Sequence, residues 1–305
     1  MVAVAERDVE FLRHGPRPLL ARLYQPDGPG GGPPGPGVVA VHGGAWTSGD
    51  RLDNAGTARN LARAGFTVLS VDFRMPPEAV YPDPVADVSA GIRWFKASAA
   101  GLGVDPSRIG GIGYSSGGHQ LMLAAMRPGD PRYSALDVTA AASAAASAAG
   151  ASAADATLAF VILLYAVLDP LERYRMTLRA GRGDLTARHH QYWPDVDEMA
   201  EGNPTLLLDR GEPADLPPVL VIQGWQDANL TPDMGERFTA AYRRAGGHAE
   251  LAMYEDAPHG FIKNESGGPA ARAATERLLA FARHFAAGPG IQPAAVDDTT
   301  RRSGL

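Results

Sequence analysis

Apolar and polar positions along this chain switch between two periods, and the switching sets out its elements. Short, nearly continuous apolar runs recur at Val38 to Val41, Phe66 to Asp72, Ile109 to Tyr114, Ala159 to Tyr165, Val219 to Gln223 and Glu250 to Tyr254. Such runs suit strands buried on both faces of a sheet. Between them lie stretches with helical spacing. These are Asp53 to Ala64, stopped by Gly65; Asp83 to Ala100, with Val85, Val88, Ile92 and Phe95 on one face; Ser115 to about Met126; Asp233 to Ala245; and Ala270 to Phe285. Upstream, Val2 to Phe11 and Pro18 to Tyr24 read as two strands separated by a Gly-Pro turn. Strand-helix alternation predicts a mostly parallel sheet with helices on both faces.

Four stretches interrupt the pattern. Asp27 to Gly37 is almost pure Gly and Pro and is expected to be a loop. Thr139 to Ala156 is nearly all Ala and Ser, with no apolar stripe to bury, and predicts a surface helix or a mobile insertion. The connection from Tyr165 to Val219 is far longer than an ordinary loop, so residues 169–217 are expected to form a lid or cap. Its aromatics, Tyr174, Tyr192 and Trp193, either line a pocket or make the insertion's own core. The expected unit is one domain over residues 1–287, with a disordered tail over residues 288–305 rich in Pro, Asp, Thr and Arg.

Composition narrows the classes. The chain has 305 residues, 45% hydrophobic and 20% charged, enough for a large core. A net charge of −6 with no basic stripe speaks against nucleic acid or an anionic membrane as partner. No cysteine is present, which excludes disulfides, thiolate metal sites and a cysteine nucleophile. Charged residues at the N-terminus replace the apolar core of a signal peptide, and the longest apolar run is too short to span a bilayer, so a cytoplasmic location is expected. The composition leaves a homodimer open.

Gly113-Tyr114-Ser115-Ser116-Gly117 stands between a strand and a helix. Glycines two residues either side of a serine suit a sharp strand-to-helix turn that exposes the hydroxyl, so Ser115 is the candidate nucleophile. Choosing Ser116 instead would break the glycine spacing; Ser116 is expected to contribute only its backbone amide. A serine needs a base. His259 follows the last predicted strand in a Pro-His-Gly-Phe turn on the same sheet edge. His14, His248 and His284 lie elsewhere, His119 points away one turn into the helix, and adjacent His189 and His190 diverge and make a poor metal pair. The base needs a carboxylate, and Asp227 closes the strand that begins at Val219. Asp256 reads as a turn former and Asp233 as a first-turn acid of a helix. His42-Gly43-Gly44-Ala45 follows the third strand; the amides of Gly43, Gly44, Ala45 and Ser116 are the candidate donors for an oxyanion, and His42 reads as a scaffold for the loop. Trp46, Tyr114, Tyr192 and Trp193 are expected to crowd the acyl group and favour short chains.

With these residues in place the chain resembles the hormone-sensitive-lipase-like branch of the α/β-hydrolases from Val38 to Phe285. Asp72-Phe73-Arg74-Met75-Pro76-Pro77-Glu78 is similar to that branch's Asp-Tyr-Arg-Leu-x-Pro-Glu segment, and Leu168-Asp169-Pro170 and Asn203-Pro204 also resemble family members. The family's His-Gly-Gly-Gly is His42-Gly43-Gly44-Ala45 here, followed by Trp46, a variant shared with kynurenine-formamidase-like enzymes. The cap helices that many members carry at the N-terminus are replaced by predicted strands. The resemblance implies the α/β-hydrolase fold, with a mostly parallel central sheet of about eight strands and a lid insertion. It implies a serine esterase acting on small-molecule esters through Ser115, His259 and Asp227, with no metal or organic cofactor. An arylformamidase or other amidase is the alternative on the same site; a non-catalytic binding protein is disfavoured because all three residues are present.

Overall fold

The computed structural model describes residues 2–27, 32–138 and 155–287. The Ala/Ser-rich segment, except for Asp155 and Ala156, and the tail after Ala287 lie outside the described residues.

Among the described residues eight strands form one sheet: β1 (Val4–His14), β2 (Arg17–Pro26), β3 (Gly35–Val41), β4 (Thr67–Val71), β5 (Val104–Tyr114), β6 (Val161–Leu164), β7 (Val219–Gln226) and β8 (Ala249–Pro258). Their order is β1-β2-β4-β3-β5-β6-β7-β8. β1 pairs β2, and β2 pairs β4, antiparallel; every later pairing is parallel. The outer strand β1 is half-buried or exposed at every residue but Phe11 and Leu12, whereas β4 and β6 are buried at every residue. That difference is why the inner strands appear as unbroken apolar runs in the sequence.

The helices flanking this sheet are α1 (Ala55–Arg63), α2 (Asp83–Ser98), α3 (Ser116–Met126) and α4 (Pro131–Ser134). Four more lie between β6 and β7: α5 (Pro170–Arg179), α6 (Gly183–Tyr192), α7 (Val196–Glu201) and α8 (Pro204–Asp209). After them come α9 (Met234–Arg244), α10 (Phe261–Asn264) and α11 (Pro269–Ala286). Both sheet faces are covered. On β5, Gly111 looks onto Leu121 of α3, while Gly110 looks the other way onto Phe160, whose ring packs edge-on against Phe281 of α11. Among the described residues no helix is long and apolar enough to cross a membrane.

Several boundaries differ from the sequence reading, two of them for the same reason. Gly35 and Gly37, expected in a loop, belong to β3, with Gly35 opposite Val104 and Gly37 between Thr67 and Ile109. β5 likewise starts at Val104 rather than Ile109. In both cases a neighbouring strand supplies the ladder partners that local propensity does not predict.

Caps account for motifs singled out above. Asp169 caps α5 by accepting from the Glu172 amide, Asp195 caps α7 from Glu198, and Asn203 caps α8 from Leu206. The Asn203 side chain also donates to Asp169 at 2.7 Å, which ties the start of α8 to the start of α5. In the Asp72–Glu78 segment, Asp72 accepts from the amide and guanidinium of Arg51, Arg74 grips buried Asp87, and Glu78 pairs with Arg17.

Candidate functional site

Ser115 sits at the turn from β5 into α3 with φ 51° and ψ −119°, a backbone conformation costly for a residue with a side chain. Its surroundings hold it there. The Ser115 amide donates to the Leu164 carbonyl at 2.9 Å, and its carbonyl accepts from Val167 and Gly118. A Cβ at Gly117 would stand 2.1 Å from the His42 carbonyl oxygen, so only glycine lets the helix approach β3 this closely.

His259 lies between the end of β8 and α10, and its Nε2 is 2.9 Å from Ser115 Oγ. Its Nδ1 is 2.7 Å from Asp227 Oδ2. A carboxylate can only accept, so Nδ1 carries the hydrogen and Nε2 is free to accept the hydroxyl proton. The other Asp227 oxygen accepts from the Asn229 amide at 2.8 Å, and the carboxylate is almost wholly buried. Asp256 faces elsewhere. It occupies a turn with φ 52° and accepts from the Gln226 side chain at 2.9 Å. Asp233 directly precedes α9 and makes no side-chain cap bond.

The loop after β3 comes to the same place, with Gly43, Gly44 and Ala45 bordering one cleft with Ser115. Gly44 has φ 115°, and a Cβ there would lie 1.9 Å from the Ser48 carbonyl oxygen; Ala45 and Trp46 follow with φ 51° and 64°. Three consecutive residues with positive φ make this a tight turn. The amides of Gly43, Gly44 and Ala45 have no hydrogen-bond partner among the described residues. Ser116, as the first residue of α3, has no partner within the helix for its own. His42 donates from Nδ1 to the Gly43 carbonyl and stacks on Phe73 at 4.3 Å between ring centroids; burial holds it below the usual histidine range. It is a support for the loop. The Ser116 hydroxyl does more than its sequence position suggests: buried, it accepts from the Trp46 amide at 3.0 Å.

A cleft of about 460 Å³ opens over Ser115 and His259. Gly43, Gly44, Ala45 and Tyr114 line it, with Tyr165 from the end of β6 and Arg173, Arg182, Leu185 and Arg188 from the region of α5 and α6. Trp46, Tyr192 and Trp193 do not line it, contrary to expectation. All three are buried: Trp46 stacks on Tyr192 at 5.1 Å between centroids and meets Trp193 edge-on at 5.8 Å. The Trp46 indole N–H donates to His119 Nδ1, and His119 Nε2 donates to the Gly202 carbonyl. These rings therefore form the contact between the inserted helices and α3, packed against one another and against His119 and His189. Burial presses His119 down to about 4 and keeps it neutral. His189 is buried as well, bonded to Arg173, while His190 turns outward to the Tyr174 hydroxyl. The two histidines diverge as their adjacency on one helix requires.

Comparison with known proteins places this chain in a family. A family model described as BD-FAE matches residues 23–241, well over half of the chain. Esterase LipC of Mycobacterium tuberculosis is 36% identical over 103 residues, which take in 33% of this chain and 26% of LipC. The chain thus spans well under two thirds of that relative. Carboxylic ester hydrolase LipN of the same organism is 29% identical over 277 residues, 88% of this chain and 67% of LipN. Among solved structures, a hyperthermophilic esterase from the archaeon Pyrobaculum calidifontis superposes with a TM-score of 0.71 at 22% identity, covering 93% of this chain and 86% of its own. That likeness establishes the shared fold. The chain belongs to the BD-FAE family and has the α/β-hydrolase fold.

Proposed function

We propose that this protein hydrolyses carboxylic esters of small molecules. The observation that carries the reading is the unbroken hydrogen-bonded relay from Ser115 Oγ through the His259 ring to Asp227. Ser115 Oγ attacks the ester carbonyl carbon as its proton passes to His259 Nε2. The carbonyl oxygen, now an anion, meets the amides of Gly44, Ala45 and Ser116, with Gly43 setting the loop's approach. His259 then protonates the departing alcohol, and an acyl group remains on Ser115. Water repeats the sequence through the same histidine and releases the acid. Asp227 keeps the ring in the productive tautomer and stabilises it when charged.

The size and lining of the cleft further favour short acyl chains or small aryl esters. Its volume lies toward the lower end of small-molecule sites, and its apolar walls are limited to Ala45, Tyr114, Tyr165 and Leu185. Trp46, which raised the amidase alternative, is buried in the seam and does not line the cleft. The test is labelling by a serine-reactive fluorophosphonate together with hydrolysis of p-nitrophenyl acetate. Both are expected of the protein and neither of a folded Ser115→Ala variant; turnover retained in that variant would overturn the assignment.

A further inference from the structure

Four cationic side chains line the cleft, Arg173, Arg182, Arg188 and Lys263, against two carboxylates, Asp53 and Asp184. The carboxylates are already engaged: Lys263 pairs with Asp53 at 3.2 Å and Arg182 with Asp184 at 3.1 Å. Arg173 and Arg188 form no ion pair among the described residues. The chain has a net charge of −6 and most of its other described arginines hold acids (Arg51 two, Arg127 two), so two arginines without an ion pair beside the nucleophile make a local excess of positive charge.

Arg188 is the more accessible of the pair. Its Nη1 donates to the Gly44 carbonyl and to the hydroxyls of Thr47 and Ser48, which fixes the guanidinium against the oxyanion loop. Its Nε and Nη2 engage no partner among the described residues, and these two N–H groups are one edge of the fork that meets a carboxylate in two parallel bonds. Behind it, Arg173 is 1% exposed, held by the Asn229 carbonyl and His189 Nε2 and lying over the Trp46 ring. Burial pulls it down to about 10, with Asp227 acting on it only through space. A buried cation with no directly bonded carboxylate is costly, and an anion entering the cleft lowers that cost.

We infer that the esters taken by this site carry a carboxylate, received by the free edge of Arg188 in the field of Arg173. The inference rests on the ester-hydrolase reading of the same cleft and specifies its substrate class.

Two isosteric pairs test it and tell which side of the ester bears the charge. Monomethyl adipate against the methyl ester of adipamic acid places the carboxylate on the acyl side. Meta-acetoxybenzoate against meta-acetoxybenzamide places it on the alcohol side. In one pair the anion is expected to be cleaved with kcat/KM at least about tenfold above its amide, a preference that shrinks with added salt. Arg188→Gln should bring that ratio back toward unity. Ratios at or below unity in both pairs, or a ratio unmoved in Arg188→Gln, would overturn the inference. Calorimetric binding of the same compounds to Ser115→Ala separates the two readings. Preferential binding of the anion without any turnover by the intact protein would sink the hydrolase and keep the anion site. Turnover with no anionic preference would do the reverse.

Discussion

The Ser116 hydroxyl accepts the Trp46 backbone N–H at 3.0 Å, so the residue after the nucleophile is fastened to the residue after the oxyanion loop. Neither position would be suspected of holding the other from the sequence. Ser116→Ala leaves a buried amide unpaired, at a cost of about 1–3 kcal/mol. We expect a lower melting temperature and a kcat reduced by about tenfold or more as the loop donors lose their alignment. Wild-type kcat and melting temperature in this variant would mean that the bond holds nothing in place.

Asp227→Asn keeps the size of the side chain while favouring the wrong tautomer of His259, and is expected to lower kcat by about 10⁴. Asp256→Asn should change it little, since Asp256 is bonded to Gln226. Steady-state rates for the two variants, side by side, check the assignment of the acid.

Trp46→Ala should act on stability rather than on chain-length preference. The indole is fully buried between Tyr192, Trp193 and His119. Its removal is expected to cost about 3–5 kcal/mol, read from urea unfolding midpoints. A broadened acyl profile with unchanged stability would place the ring in the cleft after all.

Acid should loosen the fold before most carboxylates titrate. His119 binds a proton less readily when folded, near 4, than when unfolded, near 6.5, so the unfolded chain takes up the proton first and stability falls with pH across that window. The full effect is on the order of 3 kcal/mol, reached only at the lower end. His42 is also held low and adds to the slope. Glu6, held down by Arg59, contributes only below 4.5, which leaves the upper part of the window to histidine. Urea midpoints independent of pH from 6.5 to 5 would contradict this.

Straight-chain p-nitrophenyl esters should be cleaved best from acetyl to butyryl, because the cleft offers little apolar wall beyond Tyr165 and Leu185 for further methylenes. A maximum of kcat/KM at decanoyl would show a longer acyl channel than the lining residues provide.

How much of this was legible in the sequence depends on how local each constraint is. The turn at Ser115 is dictated by its own glycines, and Asp227 and His259 stand at strand ends, so short motifs suffice to mark all three. The run Val38 to Val41 is similarly self-evident, whereas Gly35 and Gly37 enter the same strand only because Val104, Thr67 and Ile109 lie beside them. Tyr192 and Trp193 mislead for a related reason: an aromatic in an inserted segment can turn to the cleft or to the seam, and only the position of Trp46 decides which. Arg173 and Arg188 had a compositional signal that a search for nucleophiles and bases passes over. From Glu172 to Arg188 there are five arginines against two acids.

The interlock of Trp46, Tyr192, Trp193 and His119 bears on how a ligand meets this site. The inserted helices are keyed to α3 by buried rings, and Arg188 is braced on the oxyanion loop by hydrogen bonds to Gly44, Thr47 and Ser48. Side chains held by the fold in this way have little rotamer freedom left to lose, which lowers the ordering cost of binding a ligand beside them.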